Sequence, residues 1–215
     1  MKKSTQTTDR LRLTADGGSQ IGAVLLAAGE STRFGDRNKL LAEIKETPIV
    51  RLTAETLCGV TDGDITVITG HEAGIVRDCL ADLPVSFRTN PEYAAGQSTS
   101  VREGAFEAIE HGWVGTVFAL GDMPFVSSAS IEIMIEAFND GAGSIVTAAY
   151  DNSRGNPVLF DQKHYSKLTK VTGDVGGRQL VRNHPESVLI ETGDPGVVQD
   201  IDYEDDLPSG STIPK

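Results

Sequence analysis

Two cations and a carboxylate in this sequence have side chains suited to phosphate and metal chemistry. Arg33 and Lys39 follow an apolar run that ends at Gly29. An arginine offers a planar fork of donors to a phosphate group, and a lysine offers a mobile point charge. Asp122 closes a second apolar run, GTVFALGD, and carboxylate oxygens are preferred Mg²⁺ ligands. These residues predict a polyphosphate and metal site, although Asp122 also suits a helix cap or a turn.

The loop before the cations is typical of a phosphate-binding turn. Ala27, Ala28 and Gly29 are small enough to let a ligand approach the backbone. Successive N–H groups in such a turn can bind phosphate oxygens, and Ser31 adds a hydroxyl donor. The loop has neither the Gly-Lys-Ser/Thr of a Walker A motif nor the GxGxxG pattern. Small residues alone also fit a tight strand–helix turn, but the two cations favour phosphate binding.

A second group of carboxylates lies near the chain end, in QDIDYEDDL. On an extended segment, residues two apart project to the same side, so Asp200 and Asp202 face one way. Two such carboxylates repel each other unless a cation lies between them. The run at 204–206 is typical of a solvated helix start. The residues do not decide whether Asp200 or Asp202 is the direct metal ligand.

Alternating strand-like and helix-like runs must position these groups. The apolar runs IGAVLLAA, DITVITG, VSFRTN and GTVFALGD predict strands, and amphipathic runs between them predict helices. Later strands are predicted at SIVTAAY, PVLF, SVLIET and VVQDIDY. The fold class is therefore α/β, a three-layer α/β/α architecture with a doubly wound, mostly parallel sheet. Ligands of such sheets bind at the carboxyl ends of the strands, where Gly29 and Asp122 fall.

Length and composition limit the classes of protein. The 215 residues predict a flexible leader (1–19), a single domain (20–207) and a flexible tail (208–215). No apolar run approaches the roughly 20 residues of a membrane span, and the start lacks a signal-peptide core, so we expect a cytoplasmic protein. The net charge of −12 repels nucleic acid and anionic membranes, so a bound nucleotide needs a local basic site. This charge fits either simple solubility or a high-salt cytoplasm.

The stretch LAAGESTRFGDRNKLL resembles the LAAGxSxRxG…K signature of the MobA-like nucleotidyltransferases. Its AAG is similar to the molybdenum cofactor cytidylyltransferase (MocA-like) branch, whereas the guanylyltransferase branch usually has AGG. The resemblance implies a Rossmann-like nucleotidyltransferase fold, Mg²⁺ as cofactor, and CTP, or GTP as the alternative. It places Leu26, Ala27, Ala28 and Gly29 near the base and ribose, with Ser31 beside them. It places Arg33 and Lys39 on the phosphates as catalytic residues.

Further motifs extend the resemblance over roughly residues 21–207. ALGDMP and QDIDYEDDL are similar to the family's GDxP and DIDTPEDL, which implies metal ligands at Asp122, Asp200 and Asp202. NPEYAAGQSTSVREG resembles NPxxxxGxxSSLxxG, and RGNPVLF and TGDVGGRQLV resemble RGHPVLF and GDxGARxLL. The implied nucleotide contacts are Thr69, Asn90, Gly96 and Ser98, and the implied acceptor contacts are Asn156, Gly173, Asp174 and Arg178. Ordinary helix capping and a plain glycine-rich turn remain alternatives for the last two groups.

The resemblance implies transfer of CMP from CTP to the phosphate of a molybdopterin-type molybdenum cofactor, with release of pyrophosphate. No Ser-His-Asp or Cys-His arrangement is evident, and this reaction needs none because the attacking phosphate is already ionised near pH 7. The alternatives are a guanylyltransferase, a transferase for another phosphorylated metabolite, and a non-catalytic module that binds nucleotide or cofactor. A client molybdoenzyme is a further expected partner, and nucleic acid and membrane are not.

Overall fold

Nine strands and six α-helices alternate along the part of the chain that the computed structural model describes, residues 20–35, 37–61, 64–173 and 177–214. The predicted leader and Asp174 lie outside these residues. The elements are β1 (Ile21–Ala27), β2 (Glu43–Ile44), β3 (Thr47–Pro48), α1 (Ile49–Cys58), β4 (Ile65–Thr69), α2 (Ala73–Cys79), β5 (Ser86–Thr89), α3 (Gln97–Glu110), β6 (Gly115–Leu120), α4 (Ser128–Asn139), β7 (Ile145–Tyr150), β8 (Ser153–Asp161), α5 (Tyr165–Leu168), α6 (Arg178–Asn183) and β9 (Ser187–Glu191).

Seven of these strands form one sheet in the order β5-β4-β1-β6-β8-β7-β9. Neighbouring strands are parallel except at β8, which is antiparallel to both β6 and β7. The exception has a local cause: β7 and β8 form a hairpin whose turn residues, Asp151 and Asn152, have φ of 49° and 59°. Aspartate and asparagine tolerate this left-handed backbone well. The predicted fold class, a mostly parallel α/β sheet, is confirmed.

Helices cover both faces of the sheet because its strands are apolar on both sides. Along β1, Ala23 and Leu25 pack into a core shared with α1, α2 and α4. Val24, on the opposite face, packs into a second core with residues of α3, α5 and α6. Strand residues alternate between faces, so a continuous apolar run supplies both cores. The result is the three-layer architecture expected from the sequence.

The prediction of a strand at VVQDIDY is wrong. Pro195–Val198 instead form a 3₁₀ helix, in which the Asp194 carboxylate accepts a hydrogen bond from the Gly196 N–H. Proline at the first position and a capping aspartate favour a helical turn over a strand. Residues 199–203 continue without a strand partner.

The β2–β3 hairpin and its partner at the chain end were not expected from the sequence. The Glu43 N–H donates to the Thr212 carbonyl at 2.7 Å, and the Thr212 N–H donates back at 2.9 Å. Ile213 packs against the buried cluster around Phe34 and Ile201. These contacts hold Thr212 and Ile213 against the domain through backbone and apolar groups, and the flexible tail at 208–215 stays a prediction. No helix within the described ranges is long and apolar enough to cross a membrane.

Candidate active site

The candidate site lies where the chain reverses its direction of winding across the sheet. From β1 the chain adds β4 and β5 on one side, and then returns to add β6 on the other side of β1. The carboxyl ends of β1 and β6 therefore border one crevice, the usual ligand position in such sheets. The loop after Ala27 and the turn at Asp122 both open into it, as the sequence predicts.

Lys39 lies at the centre of this crevice, between two carboxylates. Its Nζ is 2.6 Å from Oδ2 of Asp122 and 2.8 Å from Oδ1 of Asp202. The exposed fractions of these side chains are only 13%, 18% and 26%, respectively. Arg33, which is exposed, also pairs with Asp202. The structure thus brings together four predicted site residues from three separate parts of the chain.

The loop before Lys39 is held by its own polar side chains. The Ser31 hydroxyl donates to Oδ1 of Asn38 at 3.3 Å and accepts the Lys39 N–H at 3.1 Å. Asn38 Oδ1 also accepts the Leu40 N–H at 3.1 Å, and so caps the 3₁₀ turn Lys39–Leu41. Sequence reasoning missed Asn38, although an asparagine just before a short helical turn is a recognised capping signal. Ser31, expected to donate to phosphate, serves here to fix the position of Lys39.

A second missed residue, Asp194, anchors the segment that carries Asp202. Its Oδ2 accepts the Ser127 N–H at 2.9 Å and the Ser130 hydroxyl at 2.7 Å, at the start of α4. Its Oδ1 accepts the Gly196 N–H at 2.8 Å. The pKa of Asp194 is lowered because these hydrogen bonds outweigh the opposing effect of burial. Asp194 thereby ties the 3₁₀ turn to α4.

The same turn fits tightly against the neighbouring loop and strand. A Cβ at Gly196 would lie 2.1 Å from the Phe125 carbonyl oxygen, and one at Gly155 would lie 2.0 Å from the Val197 carbonyl oxygen. The buried Ile201 donates its N–H to the Asp122 carbonyl at 3.0 Å. The backbones that carry Asp122 and Asp202 are therefore linked directly.

Burial and neighbouring charges shift the pKa values of the cluster residues. Burial lowers the pKa of Lys39, but the charges and hydrogen bonds of Asp122 and Asp202 outweigh the effect of burial. The pKa of Lys39 is therefore raised. Burial raises the pKa of Asp122; Lys39 opposes this shift, and the negative charge of Asp200 adds to it. The pKa of Asp202 is lowered, first by the hydrogen bond from Lys39 and further by the charge of Arg33. Lys39 therefore lowers the pKa of both neighbouring carboxylates, and burial still leaves the pKa of Asp122 raised.

The donor set fits a divalent metal held jointly with a nucleotide. Oδ1 of Asp122 is buried and has no hydrogen-bond partner among the described residues. Within the same ranges no group of three or more His, Cys, Asp or Glu side chains could hold a metal alone. Mg²⁺ commonly uses one or two carboxylates together with substrate phosphates. Asp122 and Asp202 match this pattern, while Asp200 is exposed and acts on Asp122 through its charge.

Three of the residues expected to contact nucleotide, in β4, after β5 and in α3, are buried inside the protein. The buried amide of Asn90 donates to the Thr99 and Ser100 hydroxyls at 2.7 and 3.0 Å. Thr69 is fully buried, and Ser98 is 1% exposed. Gly96, the residue just before α3, has φ of 105°. These contacts build the start of α3 beside the crevice, and direct nucleotide contact by these residues stays a prediction.

A cavity of about 350 Å³ adjoins the crevice and contains two of the predicted acceptor residues. Leu26, Phe118 and Phe160 form part of its apolar lining, and Asn156 and Arg178 also line it. Two further lining residues, Arg154 and Arg182, were not among the predicted contacts. Gly173 is exposed and is not one of the lining residues, and Asp174 lies outside the described residues.

The sheet, the small-residue loop and the Lys39 cluster together define a nucleotidyltransferase. The chain belongs to the MobA-like NTP transferase domain family, which matches residues 23–188.

Known relatives span nearly the whole chain. Nicotine blue oxidoreductase of Paenarthrobacter nicotinovorans is 27% identical, over 85% of this chain and 92% of that protein. The Mycobacterium tuberculosis protein Rv0371c, solved in complex with manganese, is 25% identical with a TM-score of 0.70, over 87% of this chain and 96% of that one. A nucleotidyl transferase from Methanothermobacter thermautotrophicus has a TM-score of 0.74 at 24% identity, over 88% and 94% of the two chains, and supports the fold.

Proposed function

We propose that the protein is a cytidylyltransferase that moves CMP from CTP to the phosphate of a molybdopterin-type cofactor and releases pyrophosphate. The single observation that carries this proposal is the position of Lys39. Its ammonium lies between Asp122 and Asp202, beside a phosphate-type loop and a cavity large enough for a small heteroaromatic acceptor. The acceptor then lies next to the triphosphate, as an in-line reaction requires.

In this reaction an oxygen of the acceptor phosphate attacks the α-phosphorus of CTP. A new P–O bond forms, the bond between the α-phosphorus and its bridging oxygen breaks, and pyrophosphate takes the electron pair. The attacking oxygen is already ionised near pH 7, so no general base is needed. The protein's task is to bring two anions together and to stabilise the charge that builds on the leaving group.

Lys39 and Arg33 are the residues assigned to that charge. Lys39 is placed to move from the carboxylates to the triphosphate, and Arg33, being exposed, is free to reorient onto it. Asp122 and Asp202 would hold Mg²⁺, which when bound supplies positive charge to the phosphoryl oxygens. The manganese complex of Rv0371c supports a divalent metal in a relative of this chain.

CTP is preferred over GTP in this proposal because Ala28 is the middle residue of AAG, where the guanylyltransferase branch usually has the glycine of AGG. Ala28 is 4% exposed, and its carbonyl accepts the His71 N–H at 3.2 Å, which fixes the loop beside β4. GTP and other phosphorylated acceptors keep the same mechanism and differ only in the base and acceptor pockets. A nucleotide panel separates them.

One comparison favours a second candidate function. The relative from Paenarthrobacter is named an oxidoreductase, so reduction of a flat aromatic compound by a nicotinamide nucleotide is the alternative. The loop after β1 lacks the GxGxxG pattern of dinucleotide sites. Hydride transfer also gives no role to a lysine held between two carboxylates. The Lys39 cluster therefore favours nucleotidyl transfer.

The test is pyrophosphate release with Mg²⁺ and each of CTP, GTP, ATP and UTP, with and without molybdopterin-bound molybdenum. We expect release with CTP that depends on the cofactor and is lost in Asp122→Ala. Pyrophosphate release with GTP alone would indicate a guanylyltransferase. Binding of nucleotide without release would indicate a non-catalytic module. Oxidation of NADH or NADPH with an aromatic acceptor, and no release, would establish the oxidoreductase alternative.

A further inference from the structure

A short segment, residues 211–213, pairs with the β2–β3 hairpin that follows the loop of the candidate site, and we call this segment the strap. Thr212 and Glu43 exchange two backbone hydrogen bonds, of 2.7 and 2.9 Å, and the Thr212 hydroxyl donates to the Glu43 carboxylate at 2.9 Å. Within the hairpin Glu43 lies opposite Pro48, which has no N–H to donate. A two-stranded hairpin is marginally stable by itself. The strap therefore acts as a third strand that fixes the position of Glu43.

The strap also contacts the loop between β1 and β2 directly. The Arg37 guanidinium donates a hydrogen bond to the Ile213 carbonyl at 2.9 Å. In the sequence, Arg37 lies between Arg33 and Lys39, the two cations assigned to the triphosphate. The loop is therefore tied to the strap at a point between its two cations as well as at the hairpin where it ends.

A third apolar cluster, separate from the two cores of the sheet, joins the strap to both sides of the candidate site. Phe34 and Ile201 are fully buried in this cluster, and Ile213 packs against it from the strap. Phe34 directly follows Arg33, and Ile201 directly precedes Asp202. One small cluster therefore supports the backbone of a phosphate-binding cation and the backbone of a carboxylate assigned to the metal.

The chain that runs from Asp202 to the strap turns tightly and returns to the same cluster. Oδ2 of Asp206 accepts the N–H groups of Asp202 and Tyr203, at 2.9 and 2.7 Å. The next residue, Leu207, packs against the apolar cluster with Ile213. The carboxylate side and the cation side of the crevice are therefore connected by one continuous, packed segment.

We propose that Thr212 and Ile213 are positioning residues, which act on nucleotide and metal binding through the β1–β2 loop and Ile201. The strap holds the cations of the loop near their binding positions before the nucleotide arrives, so that binding does not have to order the loop. This inference rests on the proposed function, since it takes a nucleoside triphosphate as the ligand of the loop. Loss of the strap contacts should raise the KM for CTP more than it lowers kcat.

Hydrogen–deuterium exchange of the protein without ligand tests the effect on the loop. In Ile213→Ala the amides of residues 37–43 should exchange about tenfold faster than in the wild type, because the loop opens more often. Ile190→Ala is the matched control, since Ile190 is also partly buried but packs against the sheet core from β9, at the far edge of the sheet. It should lose similar stability in urea and leave exchange of the loop unchanged. Ile213→Val keeps most of the contact, so its exchange should stay within about twofold of the wild type.

Equilibrium dialysis with labelled CTP and MgCl₂ tests the effect on binding. We expect an affinity about tenfold weaker in Ile213→Ala, unchanged in Ile190→Ala, and about threefold weaker in Thr212→Val, which loses only the hydroxyl hydrogen bond to Glu43. Thr212→Val carries the test should Ile213→Ala not fold.

Two results in Ile213→Ala would overturn the proposal: unchanged exchange of the loop, or faster exchange with unchanged affinity for the nucleotide. An equal loss of affinity in Ile190→Ala would overturn it too, because the effect would then be one of general stability. Tight binding of another nucleoside triphosphate in place of CTP would reject the proposed function. A loss of that nucleotide's affinity in Ile213→Ala alone would still support the strap.

Discussion

Replacing Lys39 by methionine should destabilise the folded protein strongly, because the lysine is the counter-ion of two carboxylates. Its Nζ is 2.6 Å from Asp122 and 2.8 Å from Asp202, and its side chain is 13% exposed. Removing one partner of a mostly buried ion pair costs about 3–5 kcal/mol, since the remaining charge is left in a poorly hydrated place. In a domain of this size, each kcal/mol lowers Tm by about 2–4 °C, so we expect a fall of roughly 10 °C.

Urea unfolding followed by circular dichroism of four proteins measures this effect: the wild type, Lys39→Met, Asp122→Asn and the double variant. The double variant should recover much of the loss, because it removes the buried charge along with its partner. Lys170→Met, at an exposed lysine, is the control and should change stability by less than about 0.5 kcal/mol.

Divalent metal adds a second readout to the same series. With Lys39 absent, a cation has both carboxylates available, so millimolar MgCl₂ should raise the Tm of Lys39→Met more than that of the wild type. If Lys39→Met loses no more stability than Lys170→Met, within about 0.5 kcal/mol, the assignment of Lys39 as counter-ion is refuted. An equal response of both proteins to MgCl₂ would refute the assignment of the two carboxylates as metal ligands.

Three further predictions concern positions outside the Lys39 cluster. Asp194→Ala removes the acceptor of three hydrogen bonds, so it should lower the free energy of unfolding by about 2–4 kcal/mol. It should also weaken Mn²⁺ binding in the presence of CTP about tenfold, as measured by electron paramagnetic resonance. Unchanged Mn²⁺ affinity would reject the positioning role of Asp194. His164 has a pKa lowered to about 4, first by burial and then by the charges of neighbouring cations, so folding stability should be greatest above about pH 6.5 and fall as the pH drops toward 4, by up to about 3 kcal/mol. In His164→Gln that loss of stability at low pH should largely disappear, as measured by urea unfolding at pH 7.5 and 4.5. An equal loss in the variant and the wild type would contradict the role of His164. Lys45 and Glu46 have φ of 53° and 65°, a backbone that asparagine and glycine adopt more readily. The double variant Lys45→Asn, Glu46→Gly should therefore raise the free energy of unfolding by about 1 kcal/mol. A lower Tm in calorimetry would show that other contacts of the turn matter more.

The main elements of the fold could be predicted because their cause is local. β1, β4 and β6 are continuous apolar runs, and such runs predict buried parallel strands. The rule that strand ends share one edge also predicted that Lys39 and Asp122 would come together. The match to the MobA-like family confirms the family resemblance seen in the loop residues.

The rest depends on contacts between distant parts of the chain, or on local signals that compete with each other. The run VVQDIDY alternates like a strand, but Asp194 and Pro195 impose a helical turn that brings Asp202 to Lys39. Asn90 has the motif of a nucleotide contact, yet its amide is used inside the protein. Arg182 lies just outside the motifs of the sequence, and only the fold brings it to the cavity that Arg154 also lines.

The central claim is that this site transfers a nucleotidyl group from CTP, and label transfer tests it most directly. CTP labelled at the α-phosphate is incubated with Mg²⁺, the molybdopterin-type acceptor and either the wild-type protein or Asp122→Asn. We predict that the wild type moves the label onto the acceptor as a CMP adduct, with one pyrophosphate released per adduct, and that Asp122→Asn loses at least a hundredfold in rate. Label that stays in CTP with a folded, CTP-binding wild-type protein and this acceptor would contradict the account.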